Sequence, residues 1–308
     1  MKKLLLLLFL GFTLVGFSQT TLIPDPNFEQ ALIDLGYDTA PINGSVPTVN
    51  ISSVTFLDVN YRNISDLTGL EDFTDLTNLL CSNNNLTSLD ISQNTDLTYL
   101  DCNNNQLPGI DVSNNTALIT LSCYNNQLTS LDLSIHIALA SLYCFNNQLT
   151  SLDLSINTAL ASLYCFNNQL TSLDVRNGNN FIIDAFDTTN NPNLTCIYVD
   201  DADYSNANWP NIDPNSTFVN NEAECEALSI GDNALELGVF IYPNPTNDYL
   251  FIEGNKNPIA VSIYNLLGAE VIANSNTDKI NVSKLSKGIY IIRISDGVNQ
   301  TIKRFKKD

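Results

Sequence analysis

Positive charge is scarce in this chain. Of 308 residues, 13 are Lys or Arg against 33 Asp or Glu, a formal net charge of −20. Between positions 19 and 235 the only cations are Arg62 and Arg176, against 26 carboxylates, a balance of −24. Such a surface repels nucleic acid and anionic lipid headgroups, so neither is an expected partner. His136 is the single histidine. The G-x-S-x-G, H-E-x-x-H and phosphate-loop signatures are missing. No nucleophile has an evident partner base. The sequence therefore points to no enzyme, no catalytic residue, no metal site and no cofactor. After the first 18 residues, no apolar run reaches the roughly 20 residues of a membrane-spanning helix, so no transmembrane segment is expected in the mature chain.

Against these absences stands a repetition. Cys81, Cys102, Cys123, Cys144 and Cys165 follow one another at intervals of 21 residues. A fixed period of this length signals a solenoid, in which one coil stacks on the next. The coil reads L-x-x-L-x-C-x-x-N-x-L, as in Leu97, Leu100, Cys102, Asn105 and Leu107. Leucine and cysteine two apart share one face of a strand. The phrase recurs within the coil, at Leu107, Ile110 and Val112. Each coil is thus expected to carry two short strands, and the stack two parallel sheets. The cysteines then point inward as free, buried thiols, because side chains in a parallel column have the wrong vectors for bridging.

Two further columns follow the period. Asn84, Asn105, Asn126, Asn147 and Asn168 read as a ladder of turn amides that satisfies backbone groups. Asp90, Asp111, Asp132, Asp153 and Asp174 form a row of carboxylates, a pattern that suits weak calcium binding more than paired-carboxylate hydrolysis. The row arises from repetition rather than convergence. His136 occupies the place of Asn94, Asn115 and Asn157 in other coils, and reads as repeat drift.

At these residues the chain resembles the bacterial leucine-rich repeats, in particular a short subclass of 21-residue coils with a nested second phrase. The resemblance is best from about Leu76 to Asn180, with a looser coil over Val54 to Asp75. It implies a mainly β leucine-rich-repeat solenoid. The repeats are placed at 54–193, between an N-terminal cap (19–53) and a C-terminal cap (194–222). Asp25 and Pro26 open a short capping helix. Phe28, Ala31, Leu32 and Leu35 form its apolar face, and Gly36 stops it.

The chain begins with Lys2, Lys3 and an apolar stretch, Leu4 to Leu10, then Gly16 and Ser18. Residues 1–18 therefore read as a signal peptide. In an exported protein the two cysteines outside the column, Cys196 and Cys225, are expected to form a disulfide. The acidic group Asp200, Asp201 and Asp203 reads as a solvated loop, short of a full calcium ligand set.

Residues 223–235 read as a linker, after which the repeat ceases. Alternating apolar residues between Gly, Asn and Pro turns predict a small antiparallel β-sandwich over 236–308. Its pieces are Pro243-Asn244-Pro245, Ile263-Tyr264-Asn265 with Gly268, Gly288-Ile289-Tyr290 and a basic end. Together they resemble the C-terminal sorting domain of the type IX secretion system. That resemblance implies engagement of this machinery by residues 236–308 and export to the cell surface or beyond. It also implies removal of the domain, with anchoring to surface lipopolysaccharide or release.

Neighbours of the cysteines alternate to the outer face of the first sheet. There the last three coils place Tyr124, Tyr143, Phe145, Tyr164 and Phe166. Exposed aromatics of this kind mark interaction sites. The expected role is recognition of a protein, or adhesion, at the cell surface; the alternative is a carbohydrate-binding surface protein that holds polysaccharide near the cell. The competing explanation is strand propensity and copying, since LASLYCFNNQLTSLD occurs twice unchanged.

Overall fold

The computed structural model describes residues 19–229, 239–253, 260–275, 278–295 and 300–308. The expected signal peptide lies outside them. The chain forms two compact units: residues up to 149 with 157–168, and residues 150–156 with 169–308.

The first unit opens with strand Thr20–Leu22, antiparallel to Ser45–Pro47. Between them, helix Pro26–Asp34 starts where Asp25 accepts hydrogen bonds from the amides of Asn27 (2.8 Å) and Phe28 (3.1 Å). The other carboxylate oxygen of Asp25 accepts from the Ser65 and Asp66 amides, at 2.7 and 3.1 Å, tying the cap to the first coil. Phe28, Ala31 and Leu32 are fully buried, and the Phe28 ring packs 6.4 Å from Phe73. Leu35 departs from the expected apolar face. It sits at the C-cap and is 39% exposed.

The coils then build a parallel sheet from strands Phe56–Asp58, Asn78–Leu80, Tyr99–Asp101, Thr120–Ser122, Ser141–Tyr143 and Ser162–Tyr164. Their central leucines, 57, 79, 100, 121, 142 and 163, are fully buried. Burying one leucine contributes about 1.5–3 kcal/mol. All five ladder cysteines are buried free thiols. Burial pushes the thiols of Cys81, Cys102, Cys123 and Cys144 well above their ordinary pKa.

Each strand after the first ends in a turn made by two asparagines with different tasks. The first, at 83, 104, 125, 146 and 167, adopts a left-handed backbone, with φ between 52° and 56°. Asparagine tolerates that region better than other residues with a Cβ. The second is the expected ladder. Asn105 donates to the carbonyls of Cys81 (3.0 Å) and Cys102 (3.1 Å) and accepts from the Leu86 amide (3.0 Å). Asn126, Asn147 and Asn168 repeat this set one coil later each time.

In the second unit, strands Ser151–Asp153, Ser172–Asp174, Cys196–Tyr198 and Thr217–Val219 form the second parallel sheet. It is shorter than expected. The nested phrases of the first three coils bury Leu86 and Ile91, Leu107 and Val112, and Leu128 and Leu133, yet their backbone forms no strand. In the second coil Pro108 has no amide to donate to a neighbour. Trp209 closes this sheet's core. It is 3% exposed, stacks on Phe186 at 4.3 Å and donates to the Ile183 carbonyl at 3.1 Å. Helix Glu222–Ser229 occupies the start of the stretch read as linker. Residues 230–238 lie outside the described set.

The C-terminal part of this unit is a sandwich of two antiparallel sheets. One orders Phe240–Tyr242, Tyr249–Glu253 and Lys279–Asn281; the other orders Glu270–Ser275, Ala260–Tyr264, Gly288–Ser295 and Gln300–Lys307. Leu250, Ile252 and Ile280 meet Val261, Ile263, Ile292, Ile294 and Phe305 in one core. The sequence motifs have structural tasks here. Asn244 accepts from the Lys306 amide (2.8 Å) and donates to the Arg304 carbonyl (3.2 Å), holding the last strand. Asn265 accepts from the Leu267 and Ala269 amides around Gly268, whose φ is 78°.

Candidate functional site: the outward face of the first sheet

Parallel register stacks equivalent residues into rows that run across the strands. One outward row reads Asp58, Leu80, Asp101, Ser122, Tyr143, Tyr164. A second follows the cysteines: Ser82, Asn103, Tyr124, Phe145, Phe166. The sheet thus changes character along its length, from carboxylates and amides in the early coils to aromatics in the later ones.

The five aromatics come together as two stacks. Tyr124, Phe145 and Phe166 lie ring on ring, with centroids 4.3 and 4.4 Å apart and planes within 9° and 11°. Tyr143 and Tyr164 stack at 5.5 Å and 19°. Coil spacing of about 4.8 Å suits offset stacking, which contributes ~0.5–1.5 kcal/mol per pair beyond area burial. The expectation of freely exposed rings is corrected accordingly. All five are half-buried, because each lies against its copy one coil away. Phe145 has a ring on both faces, so what it shows to solvent is its edge.

At the other end of the rows, Asp58 is exposed and Asp101 half-buried. Burial raises the Asp101 carboxyl above its usual range. Hydrogen bonds from Asn103 and Ser122 oppose that shift, and the Asp58 charge adds to it. Tyr99 and Tyr124 are also raised, by burial first and then by the charge of Asp101. Sequence reasoning passed over Asp58, Tyr99 and Tyr61, the last 73% exposed. Asp58 and Tyr61 lie in the loose first coil, where no cysteine marks the register; Tyr99 was legible as the outward residue two before Asp101.

The remaining columns have structural duties. The carboxylates of Asp90, Asp111, Asp132 and Asp153 each accept from the amide of the serine two residues on, at 2.9 to 3.0 Å. These serine hydrogen bonds hold Asp90, Asp111 and Asp132 below the ordinary carboxylate range. His136 is fully buried and its Nε2 lies 3.1 Å from the Val112 carbonyl. The amides of the same column make equivalent contacts, as Asn115 does to the carbonyls of Ile91 and Asn94. Asp200 accepts from the amides of Gly178 and Asn180, and Asp201 caps helix Ala202–Asn208. Cys196 and Cys225 are joined by a disulfide with Cα atoms 5.8 Å apart. Both cations of the repeat region are engaged: Arg62 with Asp34 at 2.6 Å, and Arg176 with Asp174 and Glu222 at 2.5 and 3.0 Å.

Residues 240–307 match the family model of the secretion system C-terminal sorting domain. The chain carries this domain and is exported through the type IX system to the cell surface or extracellular space. No helix among the described residues is long and apolar enough to cross a membrane. Over 44 residues, 14% of this chain and 5% of the relative, the sequence is 48% identical to internalin J of Listeria monocytogenes serotype 4b (strain F2365). Among solved structures, the functional domain of InlJ from Listeria monocytogenes, which includes a cysteine ladder, is 28% identical with a TM-score of 0.35, over 59% of this chain and 52% of that one. Internalin C2 of Listeria monocytogenes strain 4b F2365 is 18% identical with a TM-score of 0.42, over 66% of this chain and 98% of that one. The chain thus spans about half of the InlJ domain and a small fraction of full-length internalin J.

Proposed function

We propose that this exported leucine-rich-repeat protein recognises a protein partner at the cell surface, and serves adhesion, through the strip of Tyr124, Tyr143, Phe145, Tyr164 and Phe166. The observation that carries this reading is the stacking. A sugar seats its C–H face on an open aromatic face, whereas the interior faces here are already occupied by neighbouring rings. What remains is a ridged, half-buried surface of ring edges, tyrosine hydroxyls and the outer faces of the end rings. Protein interfaces are enriched in such aromatic groups, where one end is apolar and the other wet.

A photo-crosslinking amino acid placed at Tyr143, compared with one at Ile137, tests the assignment in cells that display the protein. Ile137 is 65% exposed and stands in the turn beyond the first sheet. A discrete protein adduct from position 143 and none from 137 is expected. Equal labelling from both positions overturns the site. A glycan-array signal that disappears with Phe145→Ala and Phe166→Ala moves the ligand class to carbohydrate.

A further inference from the structure

We infer that the partner of this face is a basic protein, whose cationic side chains meet Asp58 and Asp101 while its apolar side chains rest on the aromatic strip. The inference rests on the reading of the strip as a protein-binding site and adds the partner's chemistry.

Three observations carry it. First, Asp58 and Asp101 occupy the row that also holds Tyr143 and Tyr164, on the same outward face. At about 4.8 Å per strand, Asp101 lies about 10 Å from Asp58 on one side and about 10 Å from Tyr143 on the other. One small interface therefore spans both kinds of group. Second, neither carboxylate has a Lys or Arg partner among the described residues, and both cations between positions 19 and 235 pair with other acids. No Lys or Arg between positions 19 and 235 is left to supply counter-charge to this face. Third, the balance of −24 over positions 19 to 235 opposes self-association through this face and speeds encounter with a cation-bearing partner.

The two carboxylates are also held for contact. Asp58 accepts from the Asn60 amide at 3.1 Å, and Asp101 is gripped by the Asn103 side chain. An asparagine at either position keeps one accepting oxygen for the Asn60 or Asn103 contact, so Asp58→Asn with Asp101→Asn removes charge at nearly constant shape. Asp111→Asn with Asp132→Asn removes the same charge from turns elsewhere and serves as the control.

The test measures binding of the full chain to three polymers: lysine–phenylalanine copolymer, glutamate–phenylalanine copolymer and polylysine. The lysine–phenylalanine copolymer should bind best, weakening roughly tenfold between about 50 mM and about 500 mM salt. The 58/101 pair should weaken it about tenfold at low salt, and the 111/132 pair less than about twofold. Equal losses from the two pairs, or equal binding of the glutamate copolymer, overturn the inference. So does a salt-sensitive dimer of the chain that the 58/101 pair abolishes, since the occupant is then a second copy. The aromatic reading is tested separately by Tyr143→Ser, Phe145→Asn, Tyr164→Ser and Phe166→Asn, residues the same scaffold already carries at Ser122 and Asn103. If this variant still prefers the lysine–phenylalanine copolymer over polylysine, the strip is not the site, whatever the carboxylates do.

Discussion

At the scale of single residues, two adjacent asparagines in each turn separate conformational tolerance from hydrogen bonding. Asn147 donates to the Cys123 and Cys144 carbonyls, both at 3.1 Å, and accepts from the Leu128 amide at 3.0 Å. Asn147→Ala strands three backbone groups inside the stack, each costing about 1–3 kcal/mol when unsatisfied. A loss of roughly 3 kcal/mol or more in denaturant unfolding is expected. Asn125 instead holds φ at 53°, where glycine is at ease. Asn125→Gly should cost about 1 kcal/mol, the loss coming from its side-chain links to Asn104 (2.6 Å) and Asn146 (2.5 Å). A larger loss at 125 than at 147 contradicts this division. His136 belongs to the same scale. Its ring stands in for an amide within a backbone-binding column, which is why a lone histidine here marks no chemistry.

At the scale of elements, the cysteine column sets which side chains face in. All five thiols are buried, and desolvation holds those of Cys81, Cys102, Cys123 and Cys144 protonated. The thiolate is the reactive form, so the native protein should show negligible reaction with an aromatic disulfide reagent at neutral pH and release about five equivalents on unfolding in denaturant. Rapid labelling of the folded chain contradicts the inward column. This element was legible in the sequence because period and face are both encoded in spacing. The asparagine ladder was legible for the same reason, and the capping helix from Asp25 and Pro26. Two features were not. The second sheet fails to form strands in the early coils although Leu107 and Val112 point inward there. Apolar spacing reports the direction of side chains, while strand pairing depends on neighbouring backbones that spacing does not encode. The half-burial of the aromatics was hidden as well, since alternation says which face Phe145 takes and nothing of how closely its copies approach.

At the scale of the whole molecule, the acidic repeats and the sorting domain divide the work. Residues 236–308 carry nine Lys or Arg against seven Asp or Glu, the reverse of the repeats' balance. Truncation ahead of the domain, in a host that runs type IX secretion, should leave the remainder in the periplasm by fractionation and remove surface staining. Unchanged surface display of the truncated chain contradicts the role of 240–307 in export. The repeats have a different consequence, which follows from register. Strand pairing, thiol column, the side-chain links Asn125–Asn146–Asn167 and the ring stacks in the later coils of the first sheet all join residues 21 apart. A coil of this kind can be gained or lost as a block without disturbing the bonds of those that remain. The identical LASLYCFNNQLTSLD segments show one such block standing beside its copy. The breadth of the aromatic strip is therefore inherited as a copy number, and unequal recombination in the gene can widen or narrow it by one ring per stack at a stroke.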